Sequence, residues 1–152
     1  TDVMVGFPGE TDEDFEASLN FCKQMKFTQM HVFRYSPRSG TPAASYPNQL
    51  PGDVASSRSQ AMIEMAKQTG REFRESMLNK KMHVLVERST DETGALSGYT
   101  ENYIRTRVHV PDRFVGRIIP VRLSGIDDEI MTSELLDSDE LAASARQLKV
   151  LS

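Results

Sequence analysis

The sequence contains a single cysteine and no run of about 18 apolar residues. One cysteine, Cys22, excludes a disulfide framework and a cysteine-ligated metal cluster within the chain. The lack of a long apolar run excludes a transmembrane helix, so no membrane partner is expected. The net charge of −4 gives no overall signal for nucleic-acid binding. These features predict a reduced, cytoplasmic setting.

The charge is distributed unevenly along the second half of the chain. Residues 94–126 contain five arginines, one of them Arg117, and only two acidic residues. Residues 127–140 contain seven acidic residues and no basic one. This change of composition predicts a locally basic surface followed by an acidic tail, which we assign to residues 137–152.

The beginning of the chain predicts a strand–helix–strand unit. Residues 2–7 and 28–35 are short runs rich in strand formers. Thr11 is an expected N-cap with Asp14 at the capping-box position, and residues 12–25 carry apolar side chains at helical spacing. The result is a βαβ unit, whose two strands should be parallel.

A loop and a long helix follow this unit. Residues 36–52 contain four prolines and two glycines, which predicts a long irregular loop. Residues 53–79 predict a helix. One βαβ unit cannot cover the edges and both faces of a parallel sheet. We therefore expect residues 1–80 to be the last part of a larger α/β sheet or barrel, and the chain to be a C-terminal fragment.

From Met82 the apolar period changes to two. Residues 82–88, 96–110 and 115–125 are predicted strands, separated by turn residues. Short strands without an intervening helix predict a small β-barrel or sandwich. The strand signal fades after Gly125, and residues 139–148 predict a short terminal helix or a frayed tail.

Two candidate sites lie at the carboxyl ends of the predicted parallel strands. The first is the turn GFPGE, formed by Gly6, Phe7, Pro8, Gly9 and Glu10. Such a turn before a helix is where α/β folds bind ligands. The alternative is that the glycines serve only to permit the turn and that Glu10 is solvated. The second is the segment RYSPRSGTP, whose arginines and hydroxyls suit phosphate or carboxylate groups. The alternative there is a proline-stiffened surface loop.

A third candidate site lies in the β-region. Tyr99, Tyr103, Arg105 and Arg107 fall in one predicted strand, and a period of two places all four on one face. Aromatic side chains interleaved with arginine suit base stacking and phosphate contact. A solvated face with ordinary cross-strand pairs is the alternative. The three histidines have no metal-site spacing, and no metal site is predicted.

Together these segments resemble the C-terminal portion of a radical S-adenosylmethionine methylthiotransferase. The stretch DVMVGFPGETDEDFEASLNFC resembles a late barrel strand and helix of that family, and HVFRYSPRSGTPAA resembles the strand and loop that follow. Residues 82–135 resemble the family's TRAM domain, a small RNA-binding β-barrel. The segments MHVFRYSPRSGTPAA and GYTENYIRTRV are most similar to enzymes that methylthiolate N6-threonylcarbamoyladenosine in tRNA. The isopentenyladenosine enzymes are the close alternative.

The resemblance implies a fold and a division of the chain. Residues 1–80 would be a βαβ-helix remnant of a parallel, TIM-like radical barrel, and residues 81–136 a small, OB-like antiparallel β-barrel. The full-length enzyme would hold S-adenosylmethionine and two 4Fe-4S clusters. We expect none of these on this chain, and no catalytic residue within it, because the cluster cysteines are absent.

The resemblance also implies roles for individual residues. Residues 6–10 and Phe33 would line the cofactor side of the barrel. The residues expected at the substrate or RNA are Tyr35, Ser36, Arg38, Tyr99, Tyr103, Arg105, Arg107 and Arg117. The implied partner is the tRNA anticodon arm, and self-association through the truncated barrel edge is a further possibility. The rival hypotheses are a non-catalytic RNA-binding module and a structural fragment without an RNA role.

Overall fold

The computed structural model describes residues 1–90 and 94–137; of residues 89 and 90 it describes the backbone alone. The chain divides into two compact units, Thr1–Phe73 and a second that begins at Arg74. The predicted terminal helix, and the acidic tail beyond Asp137, lie outside the described residues. Within the described ranges, no helix combines the length and hydropathy that a bilayer span needs.

The first unit contains a parallel strand pair and two helices. Its elements are β1 (Asp2–Val5), α1 (Asp12–Met25), β2 (His31–Arg34), a 3-10 turn (Pro42–Ser45) and α2 (Gly52–Ser76), the last of which runs into the second unit. β1 and β2 pair in parallel, as the βαβ prediction requires. The prediction of an entirely irregular proline loop is wrong at the 3-10 turn. A proline is tolerated there because the first N–H groups of a helix need no intrahelical acceptor.

Both helices pack on the same side of the β1–β2 sheet. The core of the unit consists of buried side chains from β1, α1 and α2, namely Val5, Phe15, Cys22 and Met62. Met4 and Phe33 are neighbours across the strand pair and remain 55% and 51% exposed. One face of the sheet is therefore covered and the other presents apolar side chains to solvent.

The second unit is a closed five-stranded barrel. Its elements are β3 (Lys81–Thr90), β4 (Leu96–Thr100), β5 (Arg105–Val108), a 3-10 turn (Asp112–Phe114), β6 (Ile118–Asp127) and β7 (Ile130–Leu135). The strand order around the barrel is β3-β4-β5-β7-β6. An OB-like barrel is consistent with this arrangement. The all-antiparallel prediction is wrong at one seam, because β5 and β7 pair in parallel.

Two strand predictions in this unit also require correction. The predicted strand 96–110 is a hairpin, in which β4 and β5 pair antiparallel and Tyr103 adopts a left-handed conformation with φ of 61° in the connection. The Thr100 hydroxyl stabilises this turn by accepting the Ile104 N–H at 3.0 Å. The predicted loss of strand structure after Gly125 is wrong as well, because β6 continues to Asp127 and β7 follows.

The barrel interior is filled by inward-facing side chains of alternating strand positions. Val84, Val86, Leu96, Val108, Val121, Leu123 and Met131 are all at most 2% exposed. Gly98 lies where β4 crosses close to β3, and a Cβ built on it would lie 2.1 Å from the Leu85 carbonyl oxygen. The strand crossing therefore requires glycine at this position.

Candidate functional site

The turn formed by residues 6–10 follows the carboxyl end of β1 and is closed by its own glutamate. The Gly6 N–H donates to Glu10 Oε2 at 2.7 Å, and the Glu10 N–H donates to the Phe7 carbonyl at 3.0 Å. The Glu10 side chain is only 13% exposed, so the alternative that it is merely solvated is wrong. Gly6 and Gly9 have φ of 77° and 87°, backbone angles that residues other than glycine rarely adopt.

Arg58 on α2 secures this turn. Its Nη1 donates to Glu10 Oε2 at 2.6 Å and to the Glu10 carbonyl at 3.0 Å, and its Nη2 donates to Asp12 Oδ1 at 2.6 Å. Burial by itself would lower the pKa of Arg58. The hydrogen bonds and charges of Asp12 and Glu10 outweigh burial and hold this pKa above its ordinary value. The guanidinium therefore stays charged and paired.

Arg58 was not predicted as a site residue, although its sequence context contains a signal. Ala55, Arg58, Ser59 and Met62 lie at helical spacing on α2, and all four are buried. A charged residue within such a stripe needs a buried partner, because an unpaired charge is costly to bury. Glu10 is that partner.

The proline loop of residues 36–52 is fastened to the same turn. The Gly9 N–H donates to the Asn48 carbonyl at 2.9 Å. The Phe7 ring meets the Tyr35 ring edge-on at 5.2 Å and the Tyr46 ring at 6.2 Å between centroids. Residues 6–10 and the segment that contains Tyr35 and the loop of residues 36–52 were predicted separately. They form one surface, which we call the rim. Tyr46 and Asn48 were not predicted as part of it.

The predicted residues of the rim differ in exposure. Phe7 and Gly9 are exposed, Pro8 and Tyr35 are half-buried, and Gly6 is buried. The Tyr35 hydroxyl is buried and has no hydrogen-bond partner among the described residues.

The remaining predicted residues of this region are open to solvent. Ser36 and Arg38 are both exposed. Phe33 lies on the bare face of the β1–β2 sheet, beside Met4.

In the barrel unit, two predicted residues belong to a continuous outer row. Arg105 pairs across strands with Tyr99, Tyr99 with Leu85, and Leu85 with Ile118. Leu85, Tyr99 and Ile118 are 44%, 40% and 67% exposed. We call these four residues the outer row. Leu85 and Ile118 were missed because each was assigned only to a strand, without its neighbours.

The other predicted residues lie around this row. Tyr103 is 81% exposed in the β4–β5 turn, so its predicted place on the strand face is wrong. Arg107 Nη1 donates to Asp127 Oδ2 at 2.7 Å, and Arg117 is exposed after the 3-10 turn.

Glu101, in the connection between β4 and β5, pairs with His83 on β3. The Glu101 carboxylate accepts a hydrogen bond from the backbone N–H of His83 at 2.9 Å. Burial raises the pKa of Glu101, but hydrogen bonds from its own N–H and from His83 outweigh this and lower it.

The described residues contain no group of three His, Cys, Asp or Glu side chains placed to hold a metal ion. Cys22 is buried on α1, and burial raises the pKa of its thiol. A buried, protonated thiol is a core residue rather than a ligand.

Comparison with known proteins places the chain in a family. No family model matches the chain. It is 36% identical to threonylcarbamoyladenosine tRNA methylthiotransferase MtaB of Thermotoga maritima over 146 residues, which is 96% of this chain and 33% of that protein. The Bacillus subtilis protein of the same name is 36% identical over 126 residues, or 81% of this chain and 28% of its own length.

A relative with a different name is also similar. The tRNA-2-methylthio-N(6)-dimethylallyladenosine synthase of Corynebacterium glutamicum is 42% identical over 102 residues, or 64% of this chain and 20% of that protein. The chain thus spans between a fifth and a third of the length of these three relatives. The chain belongs to the tRNA methylthiotransferase family, as a segment homologous to that part of their length.

Proposed function

We propose that this chain is part of a radical S-adenosylmethionine enzyme that methylthiolates N6-threonylcarbamoyladenosine next to the tRNA anticodon. The observation that carries the proposal is the 36% identity, over 96% of the chain, to a Thermotoga maritima protein named for that activity. Residues 1–80 would be the last part of a radical barrel, and residues 81–136 a TRAM domain. The fragment would supply the barrel rim and a tRNA-binding surface.

The geometry of the rim supports a role in ligand binding. Residues 6–10 and Tyr35 follow the carboxyl ends of two parallel strands, which is the side where open α/β sheets bind ligands. The bare sheet face with Met4 and Phe33 offers apolar contact next to it. We assign residues 6–10 and Phe33 to the cofactor side, and Tyr35, Ser36 and Arg38 to the substrate side.

The cofactors fit this chain only in part. The exposed Phe7 and Phe33 rings could form one side of a binding surface for S-adenosylmethionine. The iron–sulfur clusters do not fit, because the sequence has one cysteine and that residue is buried. The bound cofactors would supply the radical chemistry, while the residues of this chain would orient ligand. We expect the isolated chain to be inactive and to bind no iron.

The outer row supports RNA binding by the barrel. Tyr99 and Arg105 are adjacent across strands and exposed, so a base can stack on the ring while the guanidinium contacts a phosphate. Leu85 and Ile118 extend the row with apolar surface. The anticodon arm, whose loop bases are unpaired, has the chemistry that such a surface takes.

The test is a salt-dependent titration of this chain with an anticodon arm that carries N6-threonylcarbamoyladenosine. The logarithm of the affinity should fall linearly with the logarithm of the salt concentration. Arg105→Ala should reduce that slope by about 0.7 to 0.9, the value for one phosphate contact. Tyr99→Ala should weaken binding by about 1 to 3 kcal/mol without changing the slope.

Lys23→Ala is the matched control, because it removes one exposed positive charge from α1 in the other unit. It should change neither affinity nor slope. A preference for the modified arm over an unmodified arm would assign part of the substrate surface to the rim. Absence of binding at low salt would remove the RNA role from this chain.

The second candidate function is methylthiolation of isopentenyladenosine in tRNA. The 42% identity to the Corynebacterium glutamicum protein, named for a dimethylallyladenosine product, favours it. A third anticodon arm, carrying N6-isopentenyladenosine, separates the two candidates. Tighter binding of that arm than of the threonylcarbamoyl arm would favour the second function.

We also propose that the chain self-associates through the β1–β2 sheet. Within the described ranges this sheet has only two strands, so each strand has an edge without a strand partner. Sedimentation equilibrium should then give a mass that rises with protein concentration. A constant monomer mass would contradict this proposal.

A further inference from the structure

We infer that Arg58 is the positioning residue of the turn at residues 6–10, an inference that rests on the proposed cofactor role of that turn. Arg58 lies 48 residues from Glu10 in sequence and does not itself line the exposed part of the turn. It acts through Glu10.

The contacts form a chain with a shared oxygen atom. Glu10 Oε2 accepts from Arg58 Nη1 at 2.6 Å and from the Gly6 N–H at 2.7 Å. The charge of Arg58 keeps this carboxylate in the structure, and the carboxylate in turn fixes the Gly6 peptide group. A buried carboxylate without its partner moves toward water or takes up a proton. Loss of Arg58 should therefore release the Gly6 N–H.

The guanidinium also connects the turn to α1. Nη2 donates to Asp12 Oδ1 at 2.6 Å, and Cζ lies 5.4 Å from the centroid of the Phe15 ring. Asp12 is the first residue of α1, so a single side chain holds the end of the turn and the start of the helix. The planar fork of arginine presents two separate nitrogens in fixed directions to the two carboxylates, a geometry that the single ammonium group of lysine does not reproduce.

A second contact of α2 with the turn lies one helical turn before Arg58. A Cβ on Gly6 would lie 2.8 Å from the Ala55 Cβ, so α2 and the turn are in close contact there. Ala55 thus fixes the distance between α2 and the turn, and Arg58 fixes the orientation of the turn. The orientation of the turn determines the direction of the exposed Phe7 ring, because Phe7 follows Gly6 in the chain.

The test measures amide hydrogen exchange of Gly6 by NMR, relative to the Cys22 amide in the interior of α1. Arg58→Met and Glu10→Gln should each raise this ratio about tenfold to a hundredfold, the range for loss of a hydrogen bond to a charged group. Arg58→Lys should give a smaller increase, because it can still contact Glu10.

Met62→Ala is the control for general loss of stability. Met62 is fully buried in the core cluster that also contains Val5 and Cys22, and it takes part in none of the hydrogen bonds or ion pairs of the turn given above. Its truncation should speed exchange at Gly6 and Cys22 together and leave their ratio unchanged. A positioning role and a purely structural role therefore give different results.

A double variant completes the test. If Arg58 acts through Glu10, Arg58→Met with Glu10→Gln should raise the ratio no further than either change alone. Additive increases, or an unchanged ratio in Arg58→Met, would overturn the inference. Should Arg58→Met fail to fold, Glu10→Gln and Arg58→Lys still decide it. These outcomes are independent of the RNA titration, since neither RNA nor cofactor is present.

Discussion

Among the glycines of the barrel that the structure describes, Gly98 should be the least tolerant of an added methyl group. An alanine Cβ would lie 2.1 Å from the Leu85 carbonyl oxygen and 2.8 Å from Val84 Cγ1. Ordinary carbon–oxygen contacts between strands are about 3.3 to 3.6 Å, so β4 would have to move by about 1 Å. The carbonyl belongs to the backbone of β3 and cannot rotate away as a side chain can. Gly98→Ala must therefore disturb the β3–β4 pairing.

We expect Gly98→Ala to cost at least about 3 kcal/mol of barrel stability, the upper end for added methyl groups in a packed core. For a domain of this size that corresponds to a fall in melting temperature of roughly 12 to 24 °C. The assay is urea unfolding followed by the NMR signals of the Val86 and Leu123 amides, which report on the barrel alone. Tyr99 is the next residue, so RNA affinity should fall as well.

Gly116→Ala is the matched control. Gly116 has φ of 77°, but nothing lies within 4 Å of a Cβ built there. The substitution should cost only the backbone strain of about 1 to 2 kcal/mol. If Gly98→Ala unfolds at the urea concentration of the wild type, or costs no more than Gly116→Ala, the steric argument is refuted.

Two further predictions concern charge. Hydrogen bonds from Thr11 lower the pKa of Asp14 below its ordinary value of 3.8, so its contribution to stability is present above that value and lost as the pH falls through the lowered pKa. Thr11→Ala should cost about 1 kcal/mol of unfolding free energy at neutral pH. Asp14→Asn should reduce the loss of unfolding free energy at acidic pH, measured by urea unfolding at a series of pH values. An unchanged loss at acidic pH would contradict this. Asp127→Asn should tighten the proposed RNA binding, because it removes the negative charge that pairs with Arg107, while changing stability by less than about 1 kcal/mol. Glu129→Gln, which removes an exposed charge from the same turn, should tighten it less, and equal effects would exclude a role for the Arg107 pair.

The first helix was predictable because its signals are local. Thr11 and Asp14 lie three residues apart, and each accepts a hydrogen bond from the other's N–H at 3.1 Å. The helix covers Asp12–Met25, the same residues that the apolar spacing predicts. Such a capping box needs no tertiary contact to define where a helix begins.

The β4–β5 hairpin was not predictable from the same kind of signal. The connection contains neither glycine nor proline, and its tight geometry depends on the Thr100 hydroxyl and a left-handed Tyr103. An apolar period of two continues through residues 96–110, so the pattern resembles one long strand. The face shared by Tyr99 and Arg105 was predicted, but it arises from cross-strand pairing rather than from one strand.

The candidate site was predictable in its parts and not as a whole. The turn at residues 6–10 and the proline loop each follow a strand, which indicated a shared side of the sheet. Their direct connection depends on the Asn48 carbonyl and the Phe7–Tyr46 ring contact, and neither has a sequence signature. Arg58 had one, since it lies within a stripe of buried residues on α2.

The parallel seam between β5 and β7 gives the barrel a point of mechanical weakness. Only two residue pairs, Thr106 with Met131 and Arg107 with Thr132, define its register, whereas β6 and β7 share six. The Arg107 carbonyl also accepts the Ser133 hydroxyl at 2.8 Å, and its side chain holds Asp127. In the RNA complex proposed above, a phosphate that draws this arginine away from Asp127 would act directly on the seam. In that complex, RNA binding at Arg107 would be coupled to separation of β5 from β7.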